Sequence, residues 1–305
     1  MATFSKSSFD AVRYAASRPS YPPALYDHVT SYALGQTSST QSRTLLDLGC
    51  GPGLSTFPFA SYFDKLIGID PSLNMVKAAS DMARARSDQF ECEVRFEQGS
   101  SEDLSGVVED HSVDLVVAAQ AAHWFDPARV YAEVARVLKP GGAFAFWGYG
   151  EAFFPDRPAL SELVPPYSHG KLDKYWQQPG RSIVEHLLTP FPLPSSTPSD
   201  PNFEPASFQR TFFLAPGAKP PKTMDNPPAR TTKVLPLLLT KQWTLQEVEG
   251  YLRTWSSAHA YQEKHPDEDP VAEMVKQLKR AGFTADETVQ VAWELGIVMG
   301  KTNLR

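Results

Sequence analysis

Residues 45–53, Leu45-Leu46-Asp47-Leu48-Gly49-Cys50-Gly51-Pro52-Gly53, concentrate the chemistry of this 305-residue chain. The apolar run reads as a buried strand. The glycines after it let the backbone turn sharply and approach a ligand closely, and Pro52 stiffens the turn before a helix expected from about Leu54. Asp70 ends the next apolar run, 17 residues beyond Gly53. A carboxylate at that point can accept hydrogen bonds from both hydroxyls of a ribose. A dinucleotide pyrophosphate would also suit a strand, a glycine turn and a helix, but its fingerprint is G-x-G-x-x-G, and the glycines here stand at 49, 51 and 53. Asp47 suits a ligand with a cationic amino-acid end. Gly99-Ser100-Ser101-Glu102-Asp103-Leu104 places polar groups where an adenine edge would lie, and Gln120 would face the amino-acid portion. His123 is a candidate base or positioning group; its plainer role is to fix a loop beside Trp124. The plain alternative for the whole constellation is a structural turn with a strand-end aspartate.

These residues need a scaffold, and the pattern supplies one. Short apolar runs at Thr44–Leu48, Leu66–Asp70, Val94–Gln98, Val113–Ala119 and Ala143–Gly148 alternate with helical stretches near 54–62, 72–86 and 127–138. That alternation predicts an α/β, doubly wound, mostly parallel sheet with right-handed crossovers, its ligand lying beyond the carboxyl ends of the strands. Lys139-Pro140-Gly141-Gly142 stops the last of these helices. Residues 244–262 and 270–281 read as helices, and Thr288–Met299 as a strand adding an antiparallel edge. The chain divides into an N-terminal helical lid segment (1–43), a ligand-binding core (44–150), a substrate cap or insert (151–260), and a C-terminal helix and edge strand completing the core (261–305). The stretch 190–236 holds 12 of the 27 prolines, which argues against long helices or central strands there.

Composition narrows the function classes. The net charge of −6 lacks the basic footprint of a protein that grips nucleic acid by its phosphates, so no nucleic-acid partner is expected. Two cysteines, Cys50 and Cys92, do not make a disulfide framework and suit a reducing compartment. No apolar run approaches the roughly eighteen residues of a membrane span, and the N-terminus lacks a signal core. A cytoplasmic protein without membrane contact is expected, monomeric or homodimeric, with no metal.

Asp47–Gly53, Asp70 and Leu138-Lys139-Pro140-Gly141-Gly142 resemble the D-x-G-C-G-x-G loop, the ribose acid and the L-x-P-G-G turn of class I S-adenosylmethionine-dependent methyltransferases. The resemblance covers roughly residues 40–150 and implies a seven-stranded Rossmann-like sheet. Further stretches resemble the trans-aconitate methyltransferase-like group. They are Tyr14 to Tyr21 with Arg18-Pro19, His123-Trp124-Phe125-Asp126, Tyr175-Trp176 with Pro179-Gly180-Arg181, and Tyr251–Ser257. The expected activity is in-line methyl transfer to an oxygen, carboxylate or hydroxyl, of a small molecule, leaving S-adenosyl-L-homocysteine. Transfer to nitrogen or carbon of a secondary metabolite, and a cofactor-binding protein without transfer activity, are the alternatives. The cofactor is expected to meet Arg18, Asp47, Gly49, Cys50, Gly51, Gly53, Asp70, Pro71, Ser101, Glu102 and Gln120.

In-line transfer requires the nucleophile about 3 Å from the methyl carbon and stripped of water. A carboxylate is ionised at neutral pH; a hydroxyl or protonated amine needs a base. The acceptor is expected among His123 and the aromatics Tyr14, Tyr21, Trp124, Trp147, Tyr149, Tyr175, Trp176, Tyr251 and Trp255, with Arg181 as a bidentate carboxylate holder. The N-terminal segment 9–32 and the insert 150–260 are placed to close over the sheet end. Asn226-Pro227-Pro228 lies far from the fourth strand, so the N-P-P motif of amino-methylating enzymes is absent where it would act.

Overall fold

Runs rich in Leu, Ile and Val are buried on both faces, which is what a parallel sheet covered by helices demands. The computed structural model describes residues 11–35, 42–194, 202–223 and 229–303. β1 (Thr44–Leu48), β2 (Lys65–Asp70), β3 (Glu93–Gln98), β4 (Val113–Ala119) and β5 (Leu138–Phe153) lie parallel in the order β3-β2-β1-β4-β5. The order reverses between β1 and β4, so a crevice opens there at the carboxyl ends. Leu45, Leu115, Val117, Ala145 and Trp147 fill one face of the sheet. Leu46, Leu48, Val116, Ala118, Phe144 and Phe146 fill the other.

The sheet does not stop at seven strands. β6 (Gln209–Leu214), β7 (Thr231–Pro236), β8 (Leu239–Thr244) and β9 (Thr288–Lys301) extend it to nine. β9 is an interior strand rather than an edge. It runs antiparallel to β5 on one side and is shared by β8 and β6 on the other. Three strands from within 151–260 thus belong to the sheet itself. The prolines do not prevent this: β6 contains none, and Pro236 ends the exposed edge strand β7, the position where a missing N–H costs least. Asn226-Pro227-Pro228, residues 9–10 and part of the proline-rich stretch lie outside the described residues.

The helices are α1 (Ala11–Ser17), α2 (Pro23–Leu34), α3 (Leu73–Ala85), α4 (Pro127–Val137), α5 (Pro158–Ser161), α6 (Gly180–Glu185), α7 (Leu245–Leu252), α8 (Ser256–Lys264) and α9 (Pro270–Arg280). Local chemistry sets several starts. Asp126 caps α4 through the Ala128 and Arg129 N–H groups, with Pro127 as first residue, and Thr244 and Glu247 form a capping box on α7. Two expected helices differ. The 54–62 stretch is a turn followed by a short 3-10 segment, Phe57–Ser61, because Pro58 supplies no N–H and the Ser55 and Thr56 hydroxyls are drawn to Asp47. The 244–262 stretch breaks at Trp255, which is extended (φ −69°, ψ 129°). Only part of the N-terminal segment reaches the ligand end of the sheet: Leu25 and Val29 of α2 are fully buried against its face.

Candidate active site

Beyond the carboxyl ends of β1, β2, β4 and β5 lies a cavity of about 350 Å³ walled by Gly49, Cys50, Gly51, Asp70, Pro71, Ser101, Glu102, Gln120 and Tyr149, among others. Gly51 has φ +54° and nothing within 4 Å of where a Cβ would stand, so the loop backbone faces the cavity unshielded. Asp70 is tied to this turn: Oδ2 accepts the Gly51 N–H (2.9 Å) and Oδ1 the Ser72 N–H (2.8 Å). A carboxylate offers about four lone-pair directions, so two remain for a ligand. Burial raises its pKa. Glu102 accepts the Ser100 hydroxyl (2.6 Å) and the Asp126 N–H (3.2 Å), holding the polar loop at the far rim. Gln120, at φ +53°, clips β4 to β5. Its Nε2 donates to the Tyr149 carbonyl (3.1 Å) and its Oε1 accepts the Tyr149 N–H (2.8 Å). A cavity this size lies within the roughly 300–1,000 Å³ range of small-molecule sites. With an open glycine turn and a strand-end carboxylate, it fits a nucleoside carrying an amino-acid tail.

Two expected cofactor residues stand back from the cavity. Asp47 is fully buried, and its Oδ2 accepts hydroxyl hydrogens from Thr56 (2.7 Å) and Ser55 (2.9 Å); it braces the loop from behind. Gly53 lies where a Cβ would meet the Phe57 and Phe96 rings at 2.8–3.0 Å, so its smallness serves packing. Burial lifts the Asp47 pKa to about 7, partly opposed by the two hydroxyls. Because the folded value lies above the ordinary 3.8, the native state binds the extra proton between those limits, and stability falls as pH rises through that window. Thermal melts from pH 4.5 to 8 should show Asp47→Asn losing part of this downward slope relative to the unsubstituted protein. Parallel slopes would refute the assignment.

An inner chamber of about 70 Å³ shares Tyr14, Arg18, Gln120, Trp124 and Tyr149 with the larger cavity and adds His123, Glu151, Trp176, Gln177, Arg181, Val184, Tyr251, Trp255 and Ser256, among others. Arg18 stands at the junction. It donates to the Tyr149 hydroxyl (2.9 Å) and the Thr254 carbonyl (3.1 Å), and lies 4.8 Å from the Tyr14 ring centroid. Its Nε is buried without a partner. Arg181 differs: it faces Glu151 at 2.9 Å and Glu185 at 2.5 Å and stacks on Trp176. Two carboxylates already neutralise it, so it does not serve as the free carboxylate holder expected. Those carboxylates and His169 also lie close enough together to suggest a cation site, but Arg181 occupies that place. His123 is 9% exposed, and its Nδ1 has no partner. Burial, reinforced by the Arg18 charge, pushes its pKa down to about 3, so it is a neutral imidazole at physiological pH.

Two expected acceptor residues are structural. Trp147 is fully buried beneath Tyr21 at 5.7 Å in an edge-on contact, and Tyr175 is turned away to hydrogen-bond His265 (2.8 Å). Trp147 lies on the same face of β5 as Tyr149 but two residues deeper in the sheet, and Tyr175 ends a short 3-10 segment, Asp173–Tyr175. Glu151, Gln177, Val184 and Ser256 wall the chamber although sequence reasoning does not single them out. Glu151 and Ser256 carry a signal, since they adjoin the strand-end aromatics and the Tyr251–Ser257 stretch.

Residues 46–146 match a family model described as a methyltransferase domain. The chain is 26% identical over 302 residues to the Saccharomyces cerevisiae protein CRG1, provisionally assigned as an S-adenosylmethionine-dependent methyltransferase, covering 94% of this chain and 93% of that protein. It is 29% identical over 153 residues to the methyltransferase pgmE of Aspergillus terreus, which spans 50% of this chain and 45% of that one. A provisionally assigned type II methyltransferase from Anaeromyxobacter dehalogenans superposes with a TM-score of 0.65 at 27% identity, over 93% of this chain and 97% of that one. The matched segment is a methyltransferase domain, and it lies in a mostly parallel sheet flanked by helices. Among the described residues, no helix is long and apolar enough to cross a membrane.

Proposed function

We propose that this chain is an S-adenosylmethionine-dependent methyltransferase that alkylates an oxygen of a small molecule seated in the inner chamber. The observation that carries the reading is His123, a buried neutral imidazole in a chamber that shares five of its walls with the cofactor cavity. When bound, the cofactor supplies a methyl group on a sulfonium, and the sulfur keeps the electron pair of the bond that breaks. Asp70, Ser101, Glu102 and the Gly49–Gly51 backbone hold the nucleoside and its tail. Tyr14, Trp124 and Tyr149 close the junction against water, which strengthens electrostatics and bares the nucleophile.

An imidazole with a pKa near 3 is a poor proton acceptor, and the Glu151 carboxylate is committed to Arg181. A hydroxyl or ammonium acceptor would need a base that this chamber does not offer. An oxygen ionised before it arrives, such as a carboxylate with a pKa of about 4, needs none. The small chamber and the net charge of −6 favour a small molecule over a nucleic acid, as does the resemblance of Tyr14–Tyr21 and Tyr251–Ser257 to the trans-aconitate methyltransferase-like group.

The test is incubation with methyl-tritiated cofactor and a panel of small carboxylic acids, phenols and amines. We expect label in a base-labile methyl ester. His123→Gln should change the rate by less than about tenfold, since general-base loss typically costs 10²–10⁴-fold. A base-stable labelled ether, or a His123→Gln loss beyond about a hundredfold, would overturn the carboxylate assignment, and a labelled amine would overturn transfer to oxygen. Tight cofactor binding with no labelled product would favour a protein that kept the pocket without transfer.

A further inference from the structure

The first turn of α8 reaches the inner chamber uncapped. Trp255, in the N-cap position, offers no side-chain acceptor. The Ala258 and His259 N–H groups bond back to the Trp255 carbonyl, while those of Ser256 and Ser257 donate to no backbone acceptor among the described residues. Ser256 and Trp255 wall the chamber. Such a turn carries the positive end of the helix dipole and is a ready anion site.

Other observations at the same place point to an anion. Arg18 hydrogen-bonds the Thr254 carbonyl (3.1 Å), so its guanidinium stands beside the positive end of α8. Among the described residues no carboxylate pairs with it. Arg18 Nε, His123 Nδ1 and Ser257 Oγ are buried without partners; His123 walls the chamber, and Ser257 is wholly buried. Buried polar groups are ordinarily satisfied, and leaving them unpaired is costly. The nearby acids have other partners: Glu151 and Glu185 contact Arg181, and Glu249 and Asp269 contact Arg253.

We propose that the N-terminal turn of α8 and Arg18 form a carboxylate subsite in the inner chamber, and that the carboxylate it holds is the acceptor's. The identity of the ligand as acceptor rests on the methyl-transfer reading above. His123 faces the same anion as a neutral hydrogen-bond donor.

One substitution isolates the helix end. Ser256→Pro deletes a single N–H at the first helical position, where proline is compatible with the helix. The preceding Trp255, at ψ 129°, already has the conformation that proline favours before it. Ser256→Thr, which keeps the N–H, is the control. Binding is measured by calorimetry on protein saturated with S-adenosylhomocysteine, using benzoate and its uncharged isostere benzamide as probes. We expect benzoate to bind at least tenfold more tightly than benzamide. Ser256→Pro should cut that preference at least fivefold while Ser256→Thr keeps it, with S-adenosylhomocysteine affinity within twofold throughout. A second arm compares S-adenosylhomocysteine with its decarboxylated analogue. If Ser256→Pro weakens the former alone, the carboxylate held is the cofactor's, and the acceptor assignment is overturned. Equal binding of benzoate and benzamide, unchanged by Ser256→Pro, overturns the subsite itself. Because these are equilibrium measurements, a protein that shows the benzoate preference yet transfers no methyl would refute the methyl-transfer reading and leave the subsite standing.

Discussion

Asp70→Asn should weaken binding of S-adenosylhomocysteine by roughly 30- to 150-fold, the equivalent of about 2–3 kcal/mol for lost bonds to a charged group. The carboxylate accepts from both the Gly51 and Ser72 N–H groups, so it shapes the cofactor turn as well as presenting free lone pairs to a ribose. An asparagine keeps the size but turns an N–H₂ toward one of those donors. Titration calorimetry on the folded variant, checked by circular dichroism, gives the answer. An affinity within threefold of the original would show that Asp70 does not hold the nucleoside.

Gly296→Ala should lower the melting temperature by roughly 6–12 °C, corresponding to about 3 kcal/mol of overpacking at 2–4 °C per kcal/mol for a chain of this class. A Cβ on Gly296 of β9 would overlap the Leu187 carbonyl oxygen, far inside van der Waals contact. That oxygen cannot easily retreat. Leu187 and Leu188 hold left-handed φ values of 53° and 62°, and the buried Arg210 of β6 grips the Leu188 (2.9 Å) and Phe191 (2.7 Å) carbonyls. Because this turn follows α6, which carries Arg181 and Val184, a shift here also moves a wall of the inner chamber. Calorimetry that finds the melting point within about 2 °C of the original would refute the close approach.

Much of the cofactor half is legible in the amino-acid sequence. The runs at 44–48, 66–70, 94–98, 113–119 and 143–148 all lie in strands; those at 44–48, 66–70 and 113–119 are the branched apolar runs that parallel strands covered on both faces leave, whereas Val94–Gln98 mixes apolar and charged residues in a half-exposed edge strand. The glycine turn, Asp70, Ser101, Glu102 and Gln120 follow directly from where those strands end. Legibility fails where local pattern and long-range pairing disagree. The periodicity of 244–262 continues across Trp255, yet the helix breaks there, where Trp255 packs on Trp176 and Tyr251 and Arg18 takes the Thr254 carbonyl. Proline density around 209–214 hides a buried strand that contains no proline. Trp147 and Tyr149 are two residues apart in β5, and composition alone cannot say that the first is sealed in the core while the second walls the cavity.

Short-range spacing is enough to specify the cofactor and the five-stranded frame that presents it, because both rest on a turn that needs glycine and an acid at the next strand end. What the acceptor meets depends instead on contacts between distant segments. Arg18 and Arg181 are the same residue type in stretches of similar character, yet one is half-buried beside a helix N-terminus with no carboxylate partner among the described residues and the other is paired with two. That difference comes from which remote parts of the chain fold against each arginine, and it sets the charge of the chamber.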